Sequence, residues 1–387
     1  MAGGHVAITG MGLVSALGAG VAESLDVLFS GRTSGPDSSP LPTDVAHPPP
    51  AFRVRASLEP DDELTRTSSL ALAAVREAVA QSGLDLPGRD PLRTGVVLGT
   101  TVGCSFNAEA FYRSYRDGDG PDLGAVERYL RNALAPLVAG RIGAKGPSIT
   151  VVNACASGTD AIGIGASLIR AGTCDVVVAG GADELERFAY HGFLSLKNVS
   201  TRACRPFDRG RDGLNLGEGA GVVVLERTPS SPVLGRVLGY ASASDAHHPT
   251  TPHPGGRGLR RAIGAALDAA GLRPDEVAFV NAHGTATIEN DRVEGSVLAD
   301  LFAPGLPVVS TKGWTGHTLG AAGAIEAVLA LCGLRDGRIP PTAGHEEPDP
   351  ECGVTPTRET TPITAGAALS TSLAFGGMNA ALVIGGP

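Results

Sequence analysis

The chain's possible folds are most constrained by one short passage. The β-branched run Ile149-Thr150-Val151-Val152 leads into Asn153-Ala154-Cys155-Ala156-Ser157-Gly158-Thr159-Asp160, followed by a small-residue series up to Gly172. The run predicts the end of a buried strand, and the Ala/Gly/Ile pattern of residues 156–169 predicts a helix packed closely on its neighbours. Cys155 then falls on the turn between them. Unpaired N–H groups and the positive end of the helix dipole would favour a thiolate there. A buried structural cysteine is the competing reading, because a free thiol packs as a small hydrophobe. The passage alone leaves both open.

The rest of the chain repeats the plan. Further strands are predicted at residues 6–12, 94–99, 175–181, 219–226, 234–239, 277–281, 308–310 and within 365–384. Helices are predicted at 64–82, with Leu70, Ala74, Val75 and Ala78 on one face, and at 259–270 and 321–334. Alternating βα units with long buried strands predict an α/β fold, with mixed, parallel-rich sheets layered between helices. Each half sets a reactive residue before a small-residue helix, Cys155 in the first and His317 in the second. That symmetry predicts a duplicated unit, divided near Pro229-Ser230-Ser231-Pro232 into residues 1–232 and 233–387. Residues 33–60, rich in Pro, Ser and Asp, read as an irregular surface loop, and residues 196–212 as a polar one.

Composition excludes several functions. A formal net charge of −9 argues against general affinity for nucleic acid or anionic membranes, so partner docking falls to local arginines. Six cysteines without any C-x-x-C spacing match neither a disulfide framework nor a metal site, and predict a reducing, cytoplasmic setting. No signal-like or membrane-spanning segment is expected. The turn Gly10-Met11-Gly12 invites a dinucleotide reading, but Ser15 stands where G-x-G-x-x-G needs its third glycine.

Two histidines change the weight of Cys155. His283, in Asn281-Ala282-His283-Gly284-Thr285-Ala286-Thr287, and His317, in residues 310–323, each follow a predicted strand in a glycine-lined turn, where α/β proteins build sites. With the Cys155 passage, residues 312–323, Phe375-Gly376-Gly377-Met378-Asn379, Leu216-Gly217-Glu218-Gly219-Ala220-Gly221 and Asp291-Arg292-Val293-Glu294, these motifs run in the order of a known family. The chain resembles the elongating β-ketoacyl-acyl-carrier-protein synthases of the thiolase fold, which serve fatty-acid and type II polyketide synthesis.

That resemblance implies a decarboxylative Claisen condensation. Cys155 takes the acyl group, and His283 and His317 donate N–H bonds to a malonyl thioester as it loses CO₂. The backbone N–H groups of Cys155 and Phe375 form the oxyanion hole. Lys312 and Glu326 form an orienting ion pair, for which a purely structural salt bridge is the bland alternative. Thr285 and Thr287 bind substrate, while Phe193 and Val102 line the acyl tunnel, Val102 near its far end. Val102 and Leu373, smaller than the usual residues, predict acceptance of medium or longer acyl chains. No cofactor or metal is required, since substrates ride on the phosphopantetheine of an acyl carrier protein. Arg202, then Arg66 and Arg205, are the expected carrier-docking residues.

The family assembles as a homodimer or as a heterodimer with a chain-length-factor subunit, and the strand at 175–181 is expected at that contact. Leu373-Ala374 and Met378 depart from the usual Phe-Gly-Phe-Gly-Gly-Thr-Asn gate, and Gly313-Trp314 from the usual Lys-Ser context. Those departures favour a polyketide or other specialised pathway. A silent partner subunit and an acyl-thioester hydrolase stand as alternatives.

Overall fold

The structure is a computed structural model, describing residues 5–31, 35–38, 41, 45–58, 63–103, 109–229, 231–364 and 366–387. Parts of the predicted surface loop, including Thr33 and Pro60, lie outside these, as do residues 1–4, Cys104, Ser230 and Ala365.

Ten strands form one hydrogen-bonded path. They are β1 (Val6–Ser15), β2 (Thr94–Gly99), β3 (Ser148–Val151), β4 (Val176–Asp183), β5 (Gly219–Glu226), β6 (Gly235–Ser244), β7 (Val277–Asn281), β8 (Val308–Val309), β9 (Ala367–Ala374) and β10 (Met378–Gly385). Their order is β3-β2-β4-β5-β1-β6-β10-β9-β7-β8. Read outward from the centre, β1-β5-β4-β2-β3 and β6-β10-β9-β7-β8 are the same five-strand arrangement, so the expected duplication is present in the topology. Among the described residues the two arrangements pair edge to edge through Val6, Ala7 and Ile8 of β1 against Val237, Arg236 and Gly235 of β6. β2-β3, β2-β4, β7-β8 and β7-β9 are parallel and the other pairs on the path are antiparallel, the mixed pattern the sequence predicted.

Helices fill the layers. α1 (Arg66–Ser82) packs on β1 and β5, while α4 (Arg257–Ala270) packs on β6 and β10. Between the sheets lie α2 (Ser157–Arg170) and α6 (Ala322–Asp336), in contact with each other. α6 is buried on every side from Ala322 to Gly333, which explains its lack of a polar face. α3 (Arg187–Ser195) and α5 (Ile288–Leu301) carry wall residues of the site. Three helices without a sequence prediction, Glu109–Asp117, Gly124–Arg131 and Leu134–Ile142, lie between β2 and β3.

Two expectations are corrected. The strand near 175–181 is not an edge, because β4 pairs with β2 on one side and β5 on the other. Its continuous apolar run reflects a central position. The open edge is β3, whose residues are exposed or half-buried and whose neighbour Val152 is 57% exposed, so the run is not a buried strand end. An uncovered edge offers free N–H and C=O groups to another chain. We expect sedimentation at micromolar concentration to give twice the 39.1 kDa chain mass, and Val152→Asp to shift it toward the single-chain value. A wild-type monomer would show that this edge stays uncovered.

Candidate active site

The Cys155 turn is built from short-range hydrogen bonds. Ser157 Oγ accepts from Asn153 N (2.8 Å) and donates to Ala154 O (2.6 Å). Ala154 takes φ 46°, a left-handed conformation that costs a residue with a Cβ on the order of 1 kcal/mol. A bracket completed by the other half holds it there. Asn153 Nδ2 donates to Asp160 Oδ2 (2.5 Å), and Tyr240 of β6 donates its hydroxyl to Asp160 Oδ1 (2.8 Å). The Tyr240 ring lies so close over Gly163 that an added Cβ would stand 2.2 Å from it.

His317 arrives from the second half. Its N–H donates to Asn215 O (2.7 Å), and its carbonyl accepts from Gly217 N (3.0 Å). The Leu216-Gly217-Glu218 motif thus grips the histidine's backbone. Gly217 is required there, since a Cβ would meet Thr315 O at 2.2 Å. The result places His317 Nε2 3.0 Å from Cys155 Sγ.

His283 follows β7, and its loop is held by the Asp291-to-Glu294 motif. Glu294 accepts His283 N and Gly284 N, each at 2.8 Å, and the Thr371 hydroxyl at 2.7 Å, while Asp291 accepts Phe207 N at 2.7 Å and Ala286 N at 3.2 Å. Lys312 Nζ lies 3.1 Å from His283 Nδ1 and also pairs with Glu326. An ammonium can only donate, so Nδ1 accepts and the ring proton sits on Nε2. His283 is thereby fixed as a hydrogen-bond donor. The two imidazoles meet edge to face with centroids 5.2 Å apart.

Burial sets the protonation states. It holds both imidazoles well below the usual histidine range, helped by the Lys312 charge, so both are neutral at pH 7. Burial also pushes the Cys155 thiol up to about 12, against the pull of Lys312 and of the Phe375 and Cys155 N–H groups. The thiolate expected from the helix start is therefore not the resting form in the closed site. Cys155 is 5% exposed, and desolvation outweighs the helix end.

The three side chains open into a cavity of about 450 Å³, whose wall includes Phe193, Thr285, Thr287, Leu373, Phe375 and Met378. Thr285 and Thr287 share a hydroxyl contact of 2.9 Å, and Phe193 stacks on Phe375 with centroids 5.4 Å apart. Val102 is not brought to this wall. It is buried in a cluster with Leu185, Tyr190 and Leu214, on which Phe193 packs from the cavity side. Nor does Trp314 reach the cavity. Its Nε1 donates to Pro341 O (2.8 Å), and Gly313 has room only for hydrogen against Ala343 O, so this departure serves packing. In the gate, Ala374 ends β9 opposite Met378, and the left-handed positions are Gly376 and Gly377 (φ 86° and 72°), so Ala374 strains nothing.

The expected docking arginines are engaged within the chain. Arg66 is bound through two nitrogens to the fully buried Glu218, which removes it from the docking set. Arg202 pairs with Asp212 (3.1 Å) at the cavity wall, and Arg205 with Glu346 (3.2 Å). Sequence reasoning missed Asp160 and Tyr240. It also missed the buried Asp183, which accepts from Thr100 Oγ1, Thr101 N, Val102 N, Gly103 N and Gly320 N at 2.5–3.1 Å. The one available signal was an Asp seven residues after an Asn, a spacing that places both at a helix start.

Comparison with known proteins gives consistent matches. Residues 4–230 match the family model "Beta-ketoacyl synthase, N-terminal domain", and residues 234–346 match "Beta-ketoacyl synthase, C-terminal domain". The chain is 35% identical over 407 residues to the 3-oxoacyl-[acyl-carrier-protein] synthase 2 of Staphylococcus aureus strain N315, covering 98% of this chain and 97% of the relative. It is 37% identical over 417 residues to the tetracenomycin polyketide synthase ketoacyl synthase alpha subunit of Streptomyces glaucescens, covering 99% and 97%. Among solved structures, the ishigamide ketosynthase/chain length factor superposes with a TM-score of 0.89 at 31% identity over 99% of both chains. A ketosynthase bound to its type II acyl-carrier protein and a hexaketide gives 0.89 at 27%, again over 99% of both.

Two measurements probe this geometry. Because the thiol is protonated at rest, iodoacetamide alkylation of Cys155 should speed up about tenfold per pH unit from about pH 6 to 9; a plateau below pH 7 would reveal a stabilised thiolate. Tyr240→Phe should cost about 1 kcal/mol of stability and slow Cys155 acylation about tenfold by misplacing the nucleophile. Acylation at the wild-type rate, followed by intact mass, would leave the bracket a folding element only.

Proposed function

The chain belongs to the beta-ketoacyl synthase family, and we propose that Cys155, His283 and His317 carry its condensing reaction, joining an acyl group on Cys155 to malonyl-acyl carrier protein. One observation carries the assignment of roles. The Cys155 sulphur lies 3.0 Å from one neutral imidazole, beside a second whose outward nitrogen is held as a donor by Lys312.

In the first half-reaction the Cys155 sulphur attacks an acyl-carrier thioester and the carrier leaves as a thiol, the Cys155 proton passing to it. In the second, malonyl carrier loses CO₂, and its C–C bonding pair becomes an enolate whose oxygen accepts the Nε2–H bonds of His283 and His317. Neutral donors suit this step, since they stabilise the charge as it develops without transferring a proton to it. The enolate carbon attacks the acyl-Cys155 carbonyl, and the N–H groups of Cys155 and Phe375 hold the oxyanion. Collapse releases the β-ketoacyl carrier and a Cys155 thiolate, which takes one proton from solvent. Two thioesters, one proton and CO₂ close the balance, with no redox partner.

The specialised pathway is favoured over housekeeping synthesis by Leu373 and Met378, both on the cavity wall and both departing from the usual gate sequence. The resemblance to a polyketide alpha subunit and to a ketosynthase/chain length factor supports a heterodimer as well as a homodimer. Among the described residues no helix is long and apolar enough to cross a membrane, and a reducing cytoplasm suits the five described free cysteines. A silent subunit has no use for the nucleophile, and a hydrolase none for a second donor histidine.

Cys155→Ala should abolish acylation while leaving folding intact. His283→Ala and His317→Ala should keep acylation measurable and lower malonyl-carrier decarboxylation about 10²- to 10³-fold. Decarboxylation at the wild-type rate in either histidine variant would remove that residue from the enolate site.

A further inference from the structure

The wall of the active-site cavity rises along two segments. One runs from buried Thr285 through half-buried Thr287 to exposed Ile288, and the other from half-buried Phe193 to exposed Leu196 and Lys197. Cys155, His283 and His317, each 5% exposed or less, form the floor. Lys197 and Ile288 therefore stand at the rim.

The charges along that wall are largely spent. Asp212 is paired by Arg202, Glu289 by Arg292, and Asp245 accepts from Gly258 N and His253 N. Farther from the cavity, Arg205 and Arg209 are committed to Glu346 and Glu347. Lys197 lines the cavity, yet among the described residues its ammonium has no ion pair or hydrogen bond. The choice of residue is also uncommon here. Only three of the 31 basic residues are lysines, Lys145, Lys197 and Lys312, and Lys312 lies buried behind His283.

Backbone conformation adds a second observation. Lys197 follows the C-terminus of α3 with φ 58°, a position where glycine is the least strained residue. A lysine there carries a conformational cost that a glycine would avoid. A lysine near a helix C-terminus also gains from the helix dipole, a structural benefit that the test below separates.

Resting on the condensing function proposed above, we infer that Lys197 binds the phosphate of the substrate's phosphopantetheine arm. The chemistry of the arm matches the wall in order. Its phosphate reaches the Lys197 ammonium at the rim, its gem-dimethyl group lies against exposed Leu196 and Ile288, its amides pass the Thr285 and Thr287 hydroxyls, and its thioester ends at the histidine pair. An ammonium on a flexible stem serves a phosphate that arrives tethered to a much larger protein, because it needs no planar approach.

The experiment compares two small acyl thioesters, one of phosphopantetheine and one of pantetheine, which differ only in the phosphate. Cys155 acylation by each is followed by intact mass, and acylation by the acyl carrier in parallel. Wild type should favour the phosphorylated thioester in kcat/KM. Lys197→Gln should shrink that preference about three- to tenfold through KM, Lys197→Glu should shrink it further, and Lys197→Arg should restore most of it. A preference unchanged in both Gln and Glu variants overturns the assignment, including the case where only the carrier protein loses affinity, which would mark Lys197 as a protein-docking residue. A loss of thermal stability with the preference intact would assign Lys197 to the helix end and likewise overturn it. Wild type that is acylated by neither thioester nor by the carrier would refute the condensing function itself, a failure distinct from that of Lys197.

Discussion

Everything at the site depends on how closely the two halves can approach. Gly158 at the start of α2, Gly181 in β4 and Gly320 after His317 meet backbone to backbone. A Cβ on Gly158 would stand 2.7 Å from Gly320 O, and one on Gly181 2.6 Å from the same atom. Only hydrogen fits at these points. That contact lets the turn before α2 and the turn before α6 share one floor, so residues 162 positions apart come within hydrogen-bond distance. Asp183 pins the junction. Its buried carboxylate gathers four backbone N–H groups and a hydroxyl from the β2 turn and from Gly320. Burial pushes its pKa up and the donors pull it down, so the carboxylate is costly unless every bond is made.

Desolvation dominates the electrostatics that follow. One cation, Lys312, stands behind the site. It is paired with Glu326, whose carboxyl burial pushes up to about 7 despite the pairing, and it points at His283. Losing either partner of such a pair strands a buried charge at a cost of about 3–5 kcal/mol. The pair therefore does more than bind the fold together. It fixes the tautomer of one imidazole and, with burial, keeps both neutral. The same burial raises the pKa of the Cys155 thiol, against the pull of Lys312 and of the Phe375 and Cys155 N–H groups.

Strain concentrates around these groups. Among the described residues six non-glycine positions have positive φ, and Ala154, Ala286 and Leu319 fall within three residues of Cys155, His283 and His317, respectively, while Lys197 stands at the rim. Two of them are held by sequence-distant partners: Ala154 O accepts from the Thr101 hydroxyl (3.0 Å) and Ala286 O from Gly213 N (3.1 Å). Backbone held in sparsely populated conformations persists where surrounding structure over-determines it, and here the surrounding structure belongs to both halves.

The sequence by itself determined most of the strands of the sheet and pointed to the candidate site residues. Hydrophobic period and turn residues placed β2, β5 and β7 at their observed bounds, and the Cys155, His283 and His317 turns were legible because a reactive residue in a small-residue turn just after a strand is a local pattern. What lay beyond local pattern was decided by the tertiary structure. An apolar run reads alike in a central strand and at an edge, so β4 and β3 exchanged places relative to expectation. An arginine reads alike whether free or paired, and only the fold showed Arg66 turned onto Glu218 while Lys197 was left facing the cavity mouth. The protonation of Cys155 depended on water exclusion by residues more than a hundred positions away. Pairing, burial and solvent access are properties of three-dimensional neighbours, and a one-dimensional pattern records the residue without recording what surrounds it.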